Sequence, residues 1–145
     1  MLIKLLMTIN VFLYRLTNGV IGGKMGGQSV LLLHTIGRKS GKSYITPTNY
    51  FRDGKNYVLV ASNWGKANNP AWFINLMNRP ETIIEVKAQR LPVRARSAKL
   101  DEYERLWTMV TQQNAYYVRY QSQIKRKIPL VILAPSDSPE EFNRN

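Results

Sequence analysis

From Ser29 to Thr35 the chain is apolar and partly β-branched, and from Tyr44 to Phe51 it alternates Ile45, Pro47, Asn49 and Phe51 with Thr46, Thr48 and Tyr50. Both runs have strand length and are bounded by glycine and proline, so the pattern predicts a β-hairpin. Arg52-Asp53-Gly54-Lys55 is a turn signal, and Tyr57 to Ser62 is a third strand, giving an antiparallel meander. Thr82–Lys87, Arg90–Ser97 and Ile128–Ala134 add three more, with Arg90, Pro92, Arg94 and Arg96 on one, solvated face.

Helical spacing interrupts the strands. Asn69 is placed to cap a helix whose first residue is Pro70 and which ends at Pro80, with Trp72, Asn75 and Leu76 on one face. A second helix opens at Asp101-Glu102-Tyr103-Glu104, where Asp101 and Glu104 stand three apart as in a capping box, and carries an apolar stripe of Tyr103, Leu106, Trp107 and Val110. Tyr117 and Tyr120 follow, one helical turn apart. Asn18 to Gln28 holds five glycines and reads as an irregular connection, while Pro135 to Asn145 reads as a loose polar tail. The expectation is a single domain over residues 1–145, mainly β with packed helices, its strands closing into a barrel.

Met1 to Thr17 is helix-like and mostly apolar. It offers no small-residue cleavage site after the apolar run and falls short of an uninterrupted span of about 20 residues. It reads as a helix packed on the domain, or one lying in a membrane interface with Lys4 and Arg15 reaching outward.

Between the first two strands, GRKSGKS sets Arg38, Lys39 and Lys42 among Gly37 and Gly41. Glycines at positive φ would turn successive N–H groups the same way, which suits an anion, although exposed hairpin turns use the same residues. The run is no nucleotide-binding P-loop. Three residues separate its glycines where four are needed, and a strand follows where a helix is required.

Lys and Arg number 21 against 9 Asp and Glu, a formal charge of +12 that favours an anionic partner. Neither a zinc finger nor an RNP signature accompanies the charge, so nucleic acid is not the expected partner. With no cysteine and one histidine, thiol nucleophiles and thiolate or multi-histidine metal sites are excluded, and no metal is expected. His34 reads as a packed or edge residue. No Ser-His-Asp set or telling acidic pair is present, so an enzyme built on this chain needs a cofactor to carry the reaction.

LLLHTIGRKSGKSYITPTNYFRDGKNYVLVAS, NPAWFINLMNRP and the tyrosine-bearing segment ending KIPLVIL together resemble the deazaflavin-dependent nitroreductase family of split-barrel flavin/deazaflavin oxidoreductases. The resemblance implies a split β-barrel of six to seven antiparallel strands. It also implies reduced coenzyme F-420 as hydride donor to a small organic acceptor: a nitroaromatic, a quinone or an activated alkene. It implies that Arg38, Lys39 and Ser40 bind the cofactor's phosphate and acidic tail, that Tyr44, Ile45, Thr46, Pro47, Ser62 and Asn63 run along the deazaflavin, and that Trp72 and Asn75 take matching positions on the helix. Tyr117 and Tyr120 match tyrosines that cover the ring and line the substrate pocket, as positioners before proton donors. The chain departs from the family pattern at Tyr44, Asn63 and Asn114, which keeps FMN as an alternative cofactor and leaves Lys42, Lys66 or the Lys125 cluster to supply the missing charge. A barrel binding a lipid, haem or FMN without catalysis, and a basic nucleic-acid-binding domain, are the alternative functions. The expected protein is cytoplasmic, with membrane contact through its first helix and homodimerisation both open.

Overall fold

A computed structural model describes residues 28–136 together with Thr8, Ile9, Val11, Lys24 and Met25. The rest of the expected N-terminal helix and the tail beyond residue 136 lie outside the described residues; Thr8, Ile9 and Val11 are helical. No helix among the described residues is long and apolar enough to cross a membrane.

The strands are β1 (Lys24–Met25), β2 (Gln28–Ile36), β3 (Ser43–Asn49), β4 (Phe51–Asp53), β5 (Asn56–Val60), β6 (Glu81–Val86), β7 (Gln89–Ser97) and β8 (Leu130–Pro135). The helices are α1 (Ala71–Asn78), α2 (Leu100–Gln113) and α3 (Tyr116–Ser122). All pairings are antiparallel, in the order β1-β2-β6-β7-β8-β5-β4, with β3 on the side of β2 away from β6. The six expected strands are all found. The eight assigned come from a division of the second arm at Tyr50 and from the pair Lys24–Met25, which forms a short ladder inside the glycine-rich connection expected to be irregular.

That division closes the fold. β3 pairs with β2 from Ile36↔Ser43 to Val30↔Asn49, and Tyr50 still donates its N–H to the Ser29 carbonyl at 3.0 Å; one residue later Phe51 pairs with Val58 of β5. A single run of chain thus belongs to both ends of the sheet, which curls it into a split barrel.

Alternation then builds two cores. Tyr57 and Leu59 of β5 face Leu31, Leu33, Ile84, Val93 and Leu133 inside the barrel, where Leu76 of α1 plugs one end. Val58 and Val60 face the other way, against Tyr103, Leu106 and Val110 of α2 and Tyr117 of α3. Each fully buried Leu, Ile or Val contributes about 1.5–3 kcal/mol against exposure, and these two layers fix where α1 and α3 sit.

Both helix starts differ from expectation. Pro70, at ψ 152°, is itself the cap of α1 rather than its first residue, and Asn69 makes no capping bond because its side-chain oxygen accepts from Arg126 at 2.7 Å. In α2 the cap is Lys99, whose N–H donates to the Glu102 carboxylate at 2.9 Å; Asp101 and Glu104 do not form the box, since the helix begins one residue earlier than the acidic run suggests.

Candidate active site

The turn between β2 and β3 is wound tightly. Gly37 donates to the Lys42 carbonyl at 2.7 Å, Gly41 to the Gly37 carbonyl at 2.9 Å, and Lys42 to the Ser40 hydroxyl at 3.2 Å. Gly41 adopts φ 70°, as expected, but Gly37 does not take a positive φ. Gly37 serves close approach instead: a Cβ there would lie 2.4 Å from Ser40 Oγ and 2.9 Å from the Tyr44 ring, so those two side chains would have to shift. The Arg38 N–H donates to the side-chain oxygen of Asn75 at 3.0 Å, so α1 holds the turn from the side. Those bonds leave the N–H groups of Lys39 and Ser40 for a ligand.

The charge on the turn is also uncommitted. Asp53 pairs with Arg105, Glu81 with Arg94, Glu85 with His34 and Glu102 with Arg96, so these four carboxylates are engaged away from Arg38, Lys39 and Lys42. His34, part-buried with Nε2 2.6 Å from Glu85, is the packed histidine expected.

From the turn, β3 leads along the open edge of the barrel. Its register puts Tyr44 opposite Thr35 and Thr46 opposite Leu33 on the inner face, and Ile45 and Pro47 opposite His34 and Leu32 on the outer. The side chains of Tyr44, Ile45, Thr46 and Pro47 therefore cannot all reach one ring. Tyr44 and Thr46 spend their backbone groups on the ladder with β2, so that only Ile45 and Pro47 turn theirs to the edge away from β2, which has no ladder partner. β5 comes alongside it, but β5 is paired on that flank only from Asn56 to Val58. Leu59, Val60 and the following Ser62-Asn63 thus form the other lip of the split. Ser62 is buried there, and Asn63 donates from its side chain to the Asn68 carbonyl at 2.9 Å.

At the far end of β3, the Asn49 side chain comes near enough to the Tyr117 phenol to bear on its ionisation. The Tyr117 ring is buried, edge-on to Phe51 at 6.0 Å and to the half-buried Tyr120 at 6.3 Å. Burial pushes the Tyr117 phenol above its usual pKa, and the neighbouring Asn49 amide works against that rise. Between Tyr44 at the cationic turn and Asn49 at the tyrosines lie five strand steps, about 17 Å. Trp72 packs on the inner core and edge-on to Phe73, so its ring is engaged in packing.

Two features of this site carried little sequence signal. Arg126, one of three consecutive cations, donates to the carbonyls of Ala61 at 3.2 Å, Ser62 at 2.9 Å and Lys66 at 3.0 Å, and to Asn69. It is committed to the loop after β5, and Lys127 lies 3.8 Å over the Tyr103 ring, so these two do not supply charge to the turn. Second, Asn63, Trp64 and Gly65 have φ of 49°, 60° and 77°, a left-handed run that costs residues bearing a Cβ about 1–2 kcal/mol each. A separate depression of 460 Å³ lies between Leu100, Tyr103, Lys127 and Pro129; none of the expected site residues lines it.

An open barrel edge, an uncompensated cationic turn at one end of it and paired phenols at the other define a split-barrel oxidoreductase. The model of the F420H(2)-dependent quinone reductase family matches residues 6–135. An F420H(2)-dependent quinone reductase of Mycobacterium tuberculosis is 39% identical over 132 residues, covering 88% of this chain and 89% of that protein. Among solved structures, an F420-H2 dependent reductase has TM-score 0.65 at 30% identity over 72% of this chain and 92% of its own, and a domain-swapped dimer has TM-score 0.66 at 30% identity over 72% and 78%. The chain belongs to the F420H(2)-dependent quinone reductase family. That membership gives the FMN alternative no support.

Proposed function

We propose that the protein uses reduced coenzyme F-420 to reduce a quinone by two electrons to the quinol. The single observation that carries the reading is the turn Gly37–Lys42, whose three cations have no carboxylate partner among the described residues and which Asn75 fixes beside α1. Arg38, Lys39 and Ser40 hold the phosphate and acidic tail there, with Lys42 adding charge. When bound, the reduced deazaflavin supplies a hydride; a quinone that accepts it and one proton becomes the quinol.

The chain's own share is orientation. The free edge of β3 would offer the Ile45 N–H and the Ile45 and Pro47 carbonyls to a flat heterocycle, with Ser62-Asn63 on the other lip. Tyr117 keeps its proton throughout neutral pH, because burial disfavours the phenolate, and so acts as a fixed donor rather than a base. Tyr120, half-buried beside it, faces the acceptor. Holding both reactants along one edge would remove much of the entropic barrier to hydride transfer. A homodimer is the assembly that the domain-swapped neighbour supports.

Fluorescence titration with F-420 tests the reading. The double variant Arg38→Ala/Lys39→Ala is expected to weaken binding on the order of 10- to 100-fold, as loss of two charge-assisted contacts does. Unchanged affinity moves the anion site elsewhere, and absence of binding to the unaltered protein removes the reading.

A further inference from the structure

The depression of 460 Å³ lies where β7 hands over to α2 and the chain enters β8. Its volume falls within the range of small-molecule sites, about 300–1,000 Å³. Ala98, Ile128, Pro129 and Leu130 give it aliphatic walls, and Leu100, the first residue of α2, stands beside them 85% exposed. The polar groups around it are already spent. Tyr103 donates its hydroxyl to the Ile128 carbonyl at 2.5 Å, Ala61 and Ala98 donate their N–H groups to the Pro129 and Leu130 carbonyls at 2.9 and 2.8 Å, and the Ile128 N–H donates to the Gln121 side chain at 2.8 Å. A peptide or a sugar would find few donors or acceptors here, whereas a hydrocarbon chain needs none.

What remains unspent is positive charge. Lys99 and Lys127 line the depression, no acidic residue does, and neither ammonium has a carboxylate partner among the described residues. Glu102 feels the charge of Lys99, but both its oxygens are held by Arg96. Lys127 rests 3.8 Å over the Tyr103 ring, whose face favours a cation there. An apolar hollow bounded by two uncompensated ammoniums is complementary to an anion that carries an alkyl chain. We infer that this depression is a second ligand site, apart from the split, for a single-chain alkyl carboxylate, its head against Lys99 and Lys127 and its chain along Leu100, Ile128 and Pro129. None of the residues assigned to the cofactor or the acceptor lines it, so the site stands independently of the quinone-reducing reading.

Dodecanoate, kept below its micellar range, is titrated into the protein by calorimetry and followed by amide NMR, beside dodecanol, inorganic phosphate and phosphatidylglycerol vesicles. It is expected to saturate at one molecule per chain, to move the amides of Ala98–Tyr103 and Lys127–Leu130, and to bind at least about tenfold more tightly than dodecanol, while phosphate leaves those amides unmoved. Lys99→Gln/Lys127→Gln is expected to weaken dodecanoate about 10- to 30-fold with Tm retained and F-420 affinity within about twofold of the unaltered protein. Leu100→Asp, at an exposed position, removes alkyl contact and sets a carboxylate beside the head, and should weaken it about as much. No dodecanoate binding, equal affinity for dodecanol, unchanged affinity in the variants, or shifts confined to Gly37–Lys42 or the paired tyrosines overturns the inference. So does binding to the vesicles without binding of monomeric dodecanoate. Failure of the unaltered protein to bind F-420 strikes the proposed function instead, and the dodecanoate titration still decides this site.

Discussion

Thr35 shows what a single atom contributes. Its hydroxyl is buried opposite Tyr44 without a hydrogen-bond partner, a burden of about 1–3 kcal/mol. Thr35→Val keeps the branching and removes the orphan, so urea denaturation is expected to show a gain of about 1 kcal/mol. Glu102 works in the opposite sense. The Arg96 guanidinium and the Lys99 N–H hold its carboxyl down at about 2, so its contribution is complete above the ordinary value near 4.5 and is lost as pH falls through 2. Glu102→Gln should therefore flatten the acid limb of a stability–pH curve between pH 4.5 and 2. At the alkaline end, burial pushes the Tyr103 phenol up to about 12, while its hydroxyl donates to the Ile128 carbonyl at 2.5 Å. Unfolded Tyr103 ionises near 10, so stability falls as pH rises from 10 to 12, and Tyr103→Phe, read by the same denaturation curves, should lose that fall along with the hydrogen bond.

Among the elements, the loop from Ala61 to Asn69 depends on one side chain that arrives from the segment between α3 and β8. Arg126→Ala leaves several carbonyls and Asn69 without their donor and is expected to cost about 2–4 kcal/mol, visible as a lower urea midpoint and faster amide exchange at Asn63–Lys66. Arg126→Lys keeps the charge but loses the planar fork, and should recover only part. In sequence this arginine is indistinguishable from Lys125 and Lys127, because its role depends on carbonyls some sixty residues away in the chain. The strands were readable from short apolar or alternating runs bounded by turn residues, since each signal is local to its own segment. The helix starts were not: Pro70 took the first cap because Asn69 is held by Arg126, and Lys99 took the second because Glu102 reaches back to its N–H. Gly37 carried a legible signal for the wrong reason, its missing side chain serving Ser40 and Tyr44 rather than a positive φ.

For the molecule as a whole, a net charge of +12 gives a field that gathers polyanions toward the turn. F-420 affinity is accordingly expected to fall about tenfold as salt rises from 0.05 to 0.5 M, measured by the same fluorescence titration, because the screening length contracts over that range. The barrel class followed from six short strands and the resemblance, and the family comparison agrees. The position of the split did not follow, because nothing local announces that Ser43–Asp53 pairs with β2 at one end and β5 at the other.

β8 has a consequence for how the barrel closes. It is the last strand among the described residues and the one wedged between β5 and β7, with four pairs to the first and five to the second. Until Leu130–Pro135 is in place, β5 and β7 have no ladder partner on their facing flanks, and only the continuous run Ser43–Asp53 links the two parts of the sheet. Docking of β8 is then the step that closes the barrel, so destabilising substitutions in this one strand should loosen amides in β5 and β7 together.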